Sequence, residues 1–332
     1  MRNSPSSVAA DADLPAFFEA RAPRVAELRA QYRAGWPASV GGLTIGCLTP
    51  FAIAIVFLVR GSEWSKHPWF RQAALGAFVT MVGLAAIGLW LYLRGQKAFA
   101  PVDRAVDLEL LGPFAALLVE GATLEHPDDS ILEWRASLLF PRAAHVYDVN
   151  GQTTRISGRL AGLPAELDEI FLRFRRHKNS RKFGGWVVRI ALPFPVGGHL
   201  RVRAAYLGYE SLQWQEGFAP LPDATARLGT PRHVVDAAAP GTTAQGADEP
   251  AVSGVPVESL LTDALFDLLR DGEMQLAAVA RTLFVLVPNV RAFDNRKNVA
   301  TFDVEYGRET SRRVRLVEAI AREVVHAGSG SR

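Results

Sequence analysis

Residues 40–59 read VGGLTIGCLTPFAIAIVFLV and residues 73–93 read AALGAFVTMVGLAAIGLWLYL, with no charged side chain in either stretch. At 1.5 Å rise per residue, each makes a helix about 30 Å long, which matches the hydrocarbon core of a bilayer. A helix satisfies its own backbone hydrogen bonds where lipid offers no partners. The two stretches therefore predict two transmembrane helices, and the short connector at 60–72 makes them antiparallel neighbours.

Basic residues around the two stretches predict the orientation in the membrane. Cytoplasmic flanks carry an excess of lysine and arginine. Six basic residues lie outside the pair and three lie in the connector. The six are Arg24, Arg29, Arg33, Arg94, Lys97 and Arg104, and the three are Arg60, Lys66 and Arg71. The excess predicts a multi-pass protein of the inner membrane, with both termini in the cytoplasm.

Small residues predict how the two helices pack. Gly42 and Gly46 form a GxxxG step in the first stretch, and Gly76, Gly83 and Gly88 lie in the second. Such residues let helix backbones approach closely in a membrane. Pro50 removes a backbone donor from the first helix and is expected to kink it.

Composition and the period of the apolar residues divide the chain into three predicted regions. Residues 1–39 form a polar amphipathic helix, residues 40–93 the transmembrane hairpin, and residues 94–332 a cytoplasmic α+β domain. Residues 220–256 are rich in proline and glycine and predict a flexible insert. The single cysteine, Cys47, lies in the first apolar stretch, so a disulfide within the chain is excluded.

Period-two alternation predicts strands in the cytoplasmic domain, and period 3.6 predicts helices. Asn150-Gly151 is the favoured pair for a tight hairpin turn, and PFPVGG at 193–198 is interpreted as a turn between two strands. The predicted strands cover about 132–138, 144–149, 152–160, 186–192, 200–206, 283–287 and 301–306, and the predicted helices about 102–120, 164–177, 257–270 and 310–326. The fold class is therefore α+β, a two-helix transmembrane hairpin followed by a mainly antiparallel sheet with flanking helices.

Motifs for catalysis or cofactor binding are missing from the sequence. It contains no Walker loop, no GxGxxG between a strand and a helix, and no G-x-S-x-G elbow. We predict no catalytic, cofactor or metal residue on this basis. His126-Pro127-Asp128-Asp129 and Asp294 leave open an enzyme with a dispersed acidic site, although a surface turn accounts for the same residues.

The densest charge feature is RFRRHKNSRK at 173–182, which holds no acid. Contact with anionic lipid headgroups is one hypothesis, and binding of nucleic acid is a less favoured one, since aromatic residues for base stacking are scarce. A helix ending in basic residues and starting with Glu166, Asp168 and Glu169 also suits the helix dipole. The candidate lipid contacts are Arg173, Arg175, Arg176, Lys178, Arg181 and Lys182.

The layout resembles an uncharacterised bacterial family of two-span membrane proteins with a cytoplasmic α+β domain, a domain-of-unknown-function family. The segments that carry the resemblance are KFGGWVVRIALPFPVGGHLRV at 182–202 and LLTDALFDLLRDGEMQLAAVARTLFVLVPNVRAF at 260–293. The family implies the topology and offers no activity.

We therefore expect a non-catalytic binding or scaffold protein at the inner membrane surface, although an enzyme is not excluded. Its expected partners are the lipid bilayer, anionic headgroups, and a protein partner or a second copy. A membrane-associated enzyme and a small transporter or channel subunit are the alternatives. The spans carry no ionisable residue, which disfavours an ion path.

Overall fold

The structure is a computed structural model that describes residues 7–127, 139, 145–146, 154–176, 179–204, 217–229, 233–239, 254–290, 299 and 301–330. Its α-helices are α1 (Ser7–Leu43), α2 (Thr49–Trp64), α3 (Phe70–Val106), α4 (Gly112–Leu118), α5 (Pro222–Leu228), α6 (Asp263–Gly272) and α7 (Val304–Gly330). Short π-helices occupy Thr44–Leu48 and Asp107–Leu111, and a 3₁₀ helix occupies Val257–Leu260. The predicted α+β class is confirmed.

The strands join into one antiparallel sheet. They are β1 (Glu120–Glu125), β2 (His145–Val146), β3 (Thr154–Leu160), β4 (Leu163–Arg176), β5 (Asn179–Ala191), β6 (His199–Ala204), β7 (Ala219–Pro220), β8 (His233–Ala238), β9 (Gln275–Val279) and β10 (Thr282–Pro288). Their order is β1-β3-β4-β5-β10-β9-β6-β8-β7, and β2 pairs with β4. The β9–β10 hairpin therefore lies between β5 and β6, although it follows both in sequence.

Two compact units divide the chain. Unit 1 comprises Met1–Glu19 with Leu111–Arg332, and unit 2 comprises Ala20–Leu110. The first residues of α1 thus belong with the sheet, because Phe17 and Phe18 join an aromatic cluster there. Phe18 lies 5.7 Å from Phe114 and 4.7 Å from Phe302, measured between ring centroids.

Unit 2 contains both predicted apolar helices. Two helices are long and apolar enough to cross a membrane, judged by length and composition, namely Val40–Gly61 and Phe70–Leu118. Only 6% of the most apolar window of each is buried, whereas a core helix of a soluble protein buries most of such a window. Leu58 is 85% exposed and Leu75 is 66% exposed.

Three of the five glycines predicted to allow close helix packing do so, whereas nothing lies within 4 Å of a Cβ atom added to Gly76 or Gly83. A Cβ atom added to Gly88 would lie 2.2 Å from the backbone of Gly46, and one added to Gly42 would lie 2.5 Å from the backbone of Tyr92. The π-helix Thr44–Leu48 immediately precedes Pro50. Proline has no N–H for the usual bond to the carbonyl four residues back, which explains a locally wider turn there.

The helices continue past the apolar stretches as a two-helix stalk within unit 2. Tyr32 stacks on Phe99 at 5.5 Å and its hydroxyl donates to Asp103. Arg24 donates from Nε to Oε2 of Glu109 at 2.6 Å. Helix α1 also runs through Pro23 without a break.

The predicted helix at 164–177 is wrong, because these residues form β4. Leu167, Asp168, Glu169 and Ile170 are all at most 5% exposed, so the strand is buried on both faces. A strand buried on both faces loses its period-two signal, and a helical stripe is then easily found in it.

Three other predictions differ from the structure of unit 1. The predicted strand at 301–306 is wrong, since α7 begins at Val304. PFPVGG at 193–198 does not connect adjacent strands, because it passes the end of the β9–β10 hairpin, where Val196 donates to the carbonyl of Ala280. The predicted insert at 220–256 includes α5 and β8. Residues 230–232 and 240–253 of it lie outside the described residues.

The predicted Asn150-Gly151 turn also lies outside the described residues. A tight turn that the structure does describe is Ala161-Gly162, between β3 and β4. Both residues have positive φ, 52° and 78°, as a two-residue hairpin loop of type I′ requires.

Helix α7 packs against β3, β10 and α6. Its buried residues recur at helical spacing and are Gly307, Thr310, Ser311, Val314, Val317, Ile320, Ala321, Val324 and Gly328. Thr262 caps α6 by accepting from the amide of Leu265, and its hydroxyl donates to Glu323 of α7 at 2.6 Å. This bond ties the two helices together.

Gly328 allows α7 to pack on the ring of Phe194. A Cβ atom at Gly328 would lie 2.1 Å from Cζ of that ring. We expect Gly328→Ala to lower the free energy of unfolding by about 1–3 kcal/mol, the usual cost of overpacking. Gly330→Ala is the matched control, because nothing lies within 4 Å of its Cβ position. Equal thermal unfolding of both variants in detergent solution would contradict the packing.

Candidate functional site

Strands β3, β4 and β5 hold a network of four charged side chains on one face of the sheet. Arg155 faces Asp168 across the β3–β4 ladder, and Glu166 faces Arg189 across the β4–β5 ladder. Opposite charges at directly facing positions attract across strands. The register therefore creates the network, although its members are far apart in sequence.

The network is closely hydrogen-bonded. Arg155 donates from Nε to Oδ1 of Asp168 at 2.7 Å and from Nη2 to Oδ2 at 3.0 Å. Its Nη1 lies 3.3 Å from Oε2 of Glu166, which also accepts from Nη2 of Arg189. Burial raises the pKa of Asp168, and the hydrogen bond from Arg155 opposes that rise.

A groove of about 400 Å³ adjoins the network. That volume suits a small ligand or a short peptide segment. Its walls are mostly small residues, and Glu166 and Arg189 are its charged members. The lining residues are Ser157, Gly158, Pro164, Ala165, Glu166, Arg189, Ala191 and Thr282.

A second charged cluster occupies β6 and β8. Arg201 is fully buried and makes two 2.7 Å hydrogen bonds to the carboxylate of Asp236, its ladder partner. Arg203 donates to the same carboxylate at 2.9 Å. The Phe218 ring centroid lies 3.4 Å from Cζ of Arg201. Burial lowers the pKa of Arg201 and the bonds to Asp236 oppose this, so we treat the guanidinium as charged.

One transverse row of the sheet joins the two clusters. Glu166 pairs with Arg189, which pairs with Phe284 of β10. The row continues through Ala277 to Arg201. With strands about 4.8 Å apart, three spacings put the backbones of Arg189 and Arg201 roughly 14 Å apart.

Apolar residues fill the space between the clusters. Ile170, Leu172, Phe183, Val187, Ala277, Phe284 and Leu286 form this buried cluster together with Leu139. The face thus presents an apolar centre flanked by arginine–carboxylate pairs.

Both ionisable residues that line the groove hydrogen-bond to each other, so each holds the other in place. Among the residues that the structure describes, no group of three or more histidine, cysteine, aspartate or glutamate side chains is placed to hold a metal ion.

The predicted site residues fall in several places. Asp128, Asp129 and Asp294 lie outside the described residues. His126 is described, and its Nδ1 lies 3.5 Å from the hydroxyl of Thr154. Five of the predicted lipid contacts occupy strand positions in β4 and β5, so the predicted helix end does not exist. These five are Arg173, Arg175, Arg176, Arg181 and Lys182. Lys178 lies outside the described residues.

Sequence reasoning missed both charged clusters. A signal was present, since HLRVRA at 199–204 alternates basic and apolar residues and HVVDAA at 233–238 holds one acid among apolar residues. Pairing them required the strand order, which the sequence does not give.

His233 at the start of β8 predicts a pH dependence. It is 9% exposed, and burial lowers its pKa against an opposing effect of Glu273. The unfolded chain then binds this proton at a higher pH than the native state, so stability falls as pH drops below about 6.5 towards the lowered pKa. We expect His233→Gln to reduce the loss of melting temperature between pH 7.5 and 5.5.

His326 supplies the control for that measurement, because it is an exposed histidine on α7. The variant His326→Gln should keep the wild-type pH dependence. If His233→Gln also keeps it, His233 does not titrate as the burial implies.

Comparison with known proteins adds a single distant likeness. No protein-family model matches the chain, and no curated protein matches it. Among solved structures, it is similar to the mycobacterial trehalose monomycolate transport factor A, TtfA, at 12% identity and a TM-score of 0.32, over 64% of this chain and 92% of that one. A TM-score this low supports no inference about the present chain.

Proposed function

We propose that this chain is a membrane-anchored, non-catalytic binding or scaffold protein of the bacterial inner membrane. Its two apolar helices hold it in the bilayer, and its sheet binds a protein partner or a second copy on the cytoplasmic side. The observation that carries the anchoring is the exposure of the apolar residues of α2 and α3. In water, so large an apolar surface would associate or aggregate.

A pair of matched substitutions tests the anchor. Val82 lies in the middle of the second apolar stretch and is 53% exposed, and Leu108 is 66% exposed beside Asp107 and Glu109. An aspartate at the centre of a transmembrane helix costs about 2.5–3.5 kcal/mol of insertion free energy. We expect Val82→Asp to reduce the fraction of full-length chain that resists alkaline carbonate extraction of membranes, and Leu108→Asp to leave it unchanged.

Comparison of the two variants shows whether α3 is surrounded by lipid or by water. A soluble chain would tolerate both aspartates alike, since both positions are exposed. Equal extraction of the wild type and both variants into the aqueous phase would overturn the anchor.

The orientation is tested with a reporter fused to the C-terminus. The basic flanks support a cytoplasmic C-terminus, because six basic residues outside the pair exceed three in the connector. A cytoplasmic fluorescent reporter should be active there. A reporter active only on the far side of the membrane would overturn this part of the proposal.

The binding role is supported by the groove beside Glu166 and Arg189. A photo-crosslinking amino acid at Ser157 should capture one defined protein partner or a second copy in membranes. The same amino acid at Arg308, an exposed residue of α7, is the control. An uncrosslinked monomer at both positions, in a chain that is correctly inserted, would overturn the binding role and leave the anchor standing.

A further inference from the structure

Aromatic side chains gather where the two apolar helices meet the connector at 60–72. The ring centroids of Trp64 and Trp69 are 6.1 Å apart, and His67 stacks on Trp69 at 5.7 Å. Phe57 of α2 lies 5.8 Å from Trp64 and 6.3 Å from Phe70, the first residue of α3. Trp69 is nevertheless 47% exposed. The rings therefore join the two helix ends and leave part of their surface outside the protein.

The connector also carries cations beside these rings. Arg60 is paired with Glu63, with Nη1 lying 3.1 Å from Oε2. Glu63 is the only acid between residues 60 and 72. Lys66 and Arg71 are exposed, and neither forms an ion pair with an acidic side chain that the structure describes. Two positive charges therefore face the surroundings next to the exposed ring of Trp69.

A second tryptophan and cation lie together farther along α3. Cζ of Arg94 is 5.3 Å from the ring centroid of Trp90, which is 55% exposed. At 1.5 Å per residue, positions 69 and 90 are about 31 Å apart along the helix axis. Arg71 is the only charged residue between them. Because the hydrocarbon core of a bilayer is about 30 Å thick, the two tryptophans are separated by one such thickness.

Packing within the protein does not account for these rings. Trp69 and Trp90 are each about half exposed, so neither belongs to a buried core. An indole ring is apolar over most of its surface and has one polar N–H, which suits the boundary between lipid and water. Lysine and arginine can lay their apolar stems along such a boundary and keep the charged group at the headgroups. Their charged N–H groups bind phosphate oxygens strongly.

We propose that the connector binds the headgroups of anionic phospholipids. The ring of Trp69 lies in the headgroup layer, and Lys66 and Arg71 contact the phosphate oxygens. Trp90 and Arg94 make the corresponding contact at the opposite surface. The proposal rests on the proposed anchoring and holds for either orientation of the hairpin. Anionic phospholipids bind better than zwitterionic ones, because their net charge attracts both cations.

Energy transfer from a donor fluorophore near the connector to a labelled lipid tests the contact. The full chain carries Cys47→Ala and a donor on Gln72→Cys, an exposed position. It is placed in phosphatidylcholine liposomes that contain a trace of either phosphatidylglycerol or phosphatidylcholine with an acceptor on its acyl chain. We expect stronger transfer to phosphatidylglycerol, and a loss of this preference at high salt, where charges are screened. Lys66→Gln with Arg71→Gln should lower the relative association constant of phosphatidylglycerol about 25-fold.

The matched control removes two positive charges from α7, with Arg308→Gln and Arg322→Gln, and should keep the preference. Resistance to alkaline carbonate extraction is the second readout. The connector variant should resist extraction as the wild type does, because both apolar stretches are unchanged. Loss of the preference in a chain that is still inserted then reports the headgroup contact and not misfolding. Equal loss in the α7 control would overturn the contact at the connector.

The position of the Trp69 ring is tested by quenching of tryptophan emission with a lipid that carries a nitroxide on its headgroup. Trp69→Phe should lower the quenched fraction of the emission. Trp186→Phe is the control, because Trp186 is fully buried in the sheet, and its removal should raise that fraction. An unchanged fraction for Trp69→Phe would overturn the position of the ring.

The remaining outcomes are also decisive. Equal transfer to both labelled lipids in inserted protein would overturn the headgroup contact and leave the anchor intact. Displacement of phosphatidylglycerol by inorganic phosphate at constant ionic strength would overturn the lipid as the ligand, in favour of free phosphate. Extraction of the wild type by alkaline carbonate would overturn the proposed anchoring, and with it this proposal.

Discussion

Replacing Asp236 by asparagine should lower the free energy of unfolding by roughly 3–5 kcal/mol, the usual cost of breaking a buried ion pair. Asp236 accepts three hydrogen bonds from Arg201 and Arg203, whose side chains are 0% and 5% exposed. The substitution leaves both guanidinium groups buried without that carboxylate. For a unit of this size, we expect the melting temperature to fall by about 10 °C.

The control for the Asp236 substitution is a solvent-exposed ion pair. Asp267 pairs with Arg270 at 3.0 Å on α6, and the two side chains are 66% and 43% exposed. Exposed pairs contribute about 0–1 kcal/mol, so Asp267→Asn should shift the melting temperature little. Thermal unfolding of the full chain in detergent, followed by circular dichroism, compares the two. Similar small shifts would show that the sheet does not depend on Asp236.

Replacing Gly88 by alanine should weaken the packing of the two apolar helices. The added Cβ would lie 2.2 Å from the Cα and nitrogen atoms of Gly46, so the backbones must separate. In a membrane, helices associate largely through close packing, because lipid removes the hydrophobic drive between them. We expect a loss of about 1–3 kcal/mol in the stability of the hairpin, as for other overpacked contacts.

Gly83→Ala provides a nearly matched comparison, five residues away on the same helix. Nothing lies within 4 Å of its Cβ position. Both substitutions gain the same helix propensity, about 1 kcal/mol, which cancels in the comparison. Unfolding in a titration with a denaturing detergent, followed by circular dichroism, should show a lower midpoint for Gly88→Ala only. Equal midpoints would mean that the Gly46–Gly88 contact does not hold the hairpin together.

The ion pairs of Asp236 and the helix contact at Gly88 differ in how much of each can be predicted from the sequence. The GxxxG step at Gly42 and Gly46 is local, and a short connector leaves the second apolar helix little choice of partner. A close approach to a glycine of the second helix was therefore predictable, and the structure selects Gly88 from three candidates. Asp236 lies 35 residues from Arg201, and their pairing depends on β8 lying next to β6 in the sheet.

The basic segment at 173–182 shows the same limit. Charge and period favoured a helix whose dipole explained the basic end. The structure instead buries both faces of β4 at residues 167–170, with acids paired to arginines on neighbouring strands. Non-local pairing overrode the local pattern.

The sequence by itself determined the two apolar helices, their antiparallel packing at small residues, and the α+β class, because these follow from hydropathy, connector length and residue period. The tertiary structure decided which strands are neighbours, and hence the row that joins Glu166, Arg189, Phe284 and Arg201 across the sheet. The physical reason is that a strand can form backbone hydrogen bonds with any of several distant segments. The packing of the whole sheet determines which segment it pairs with.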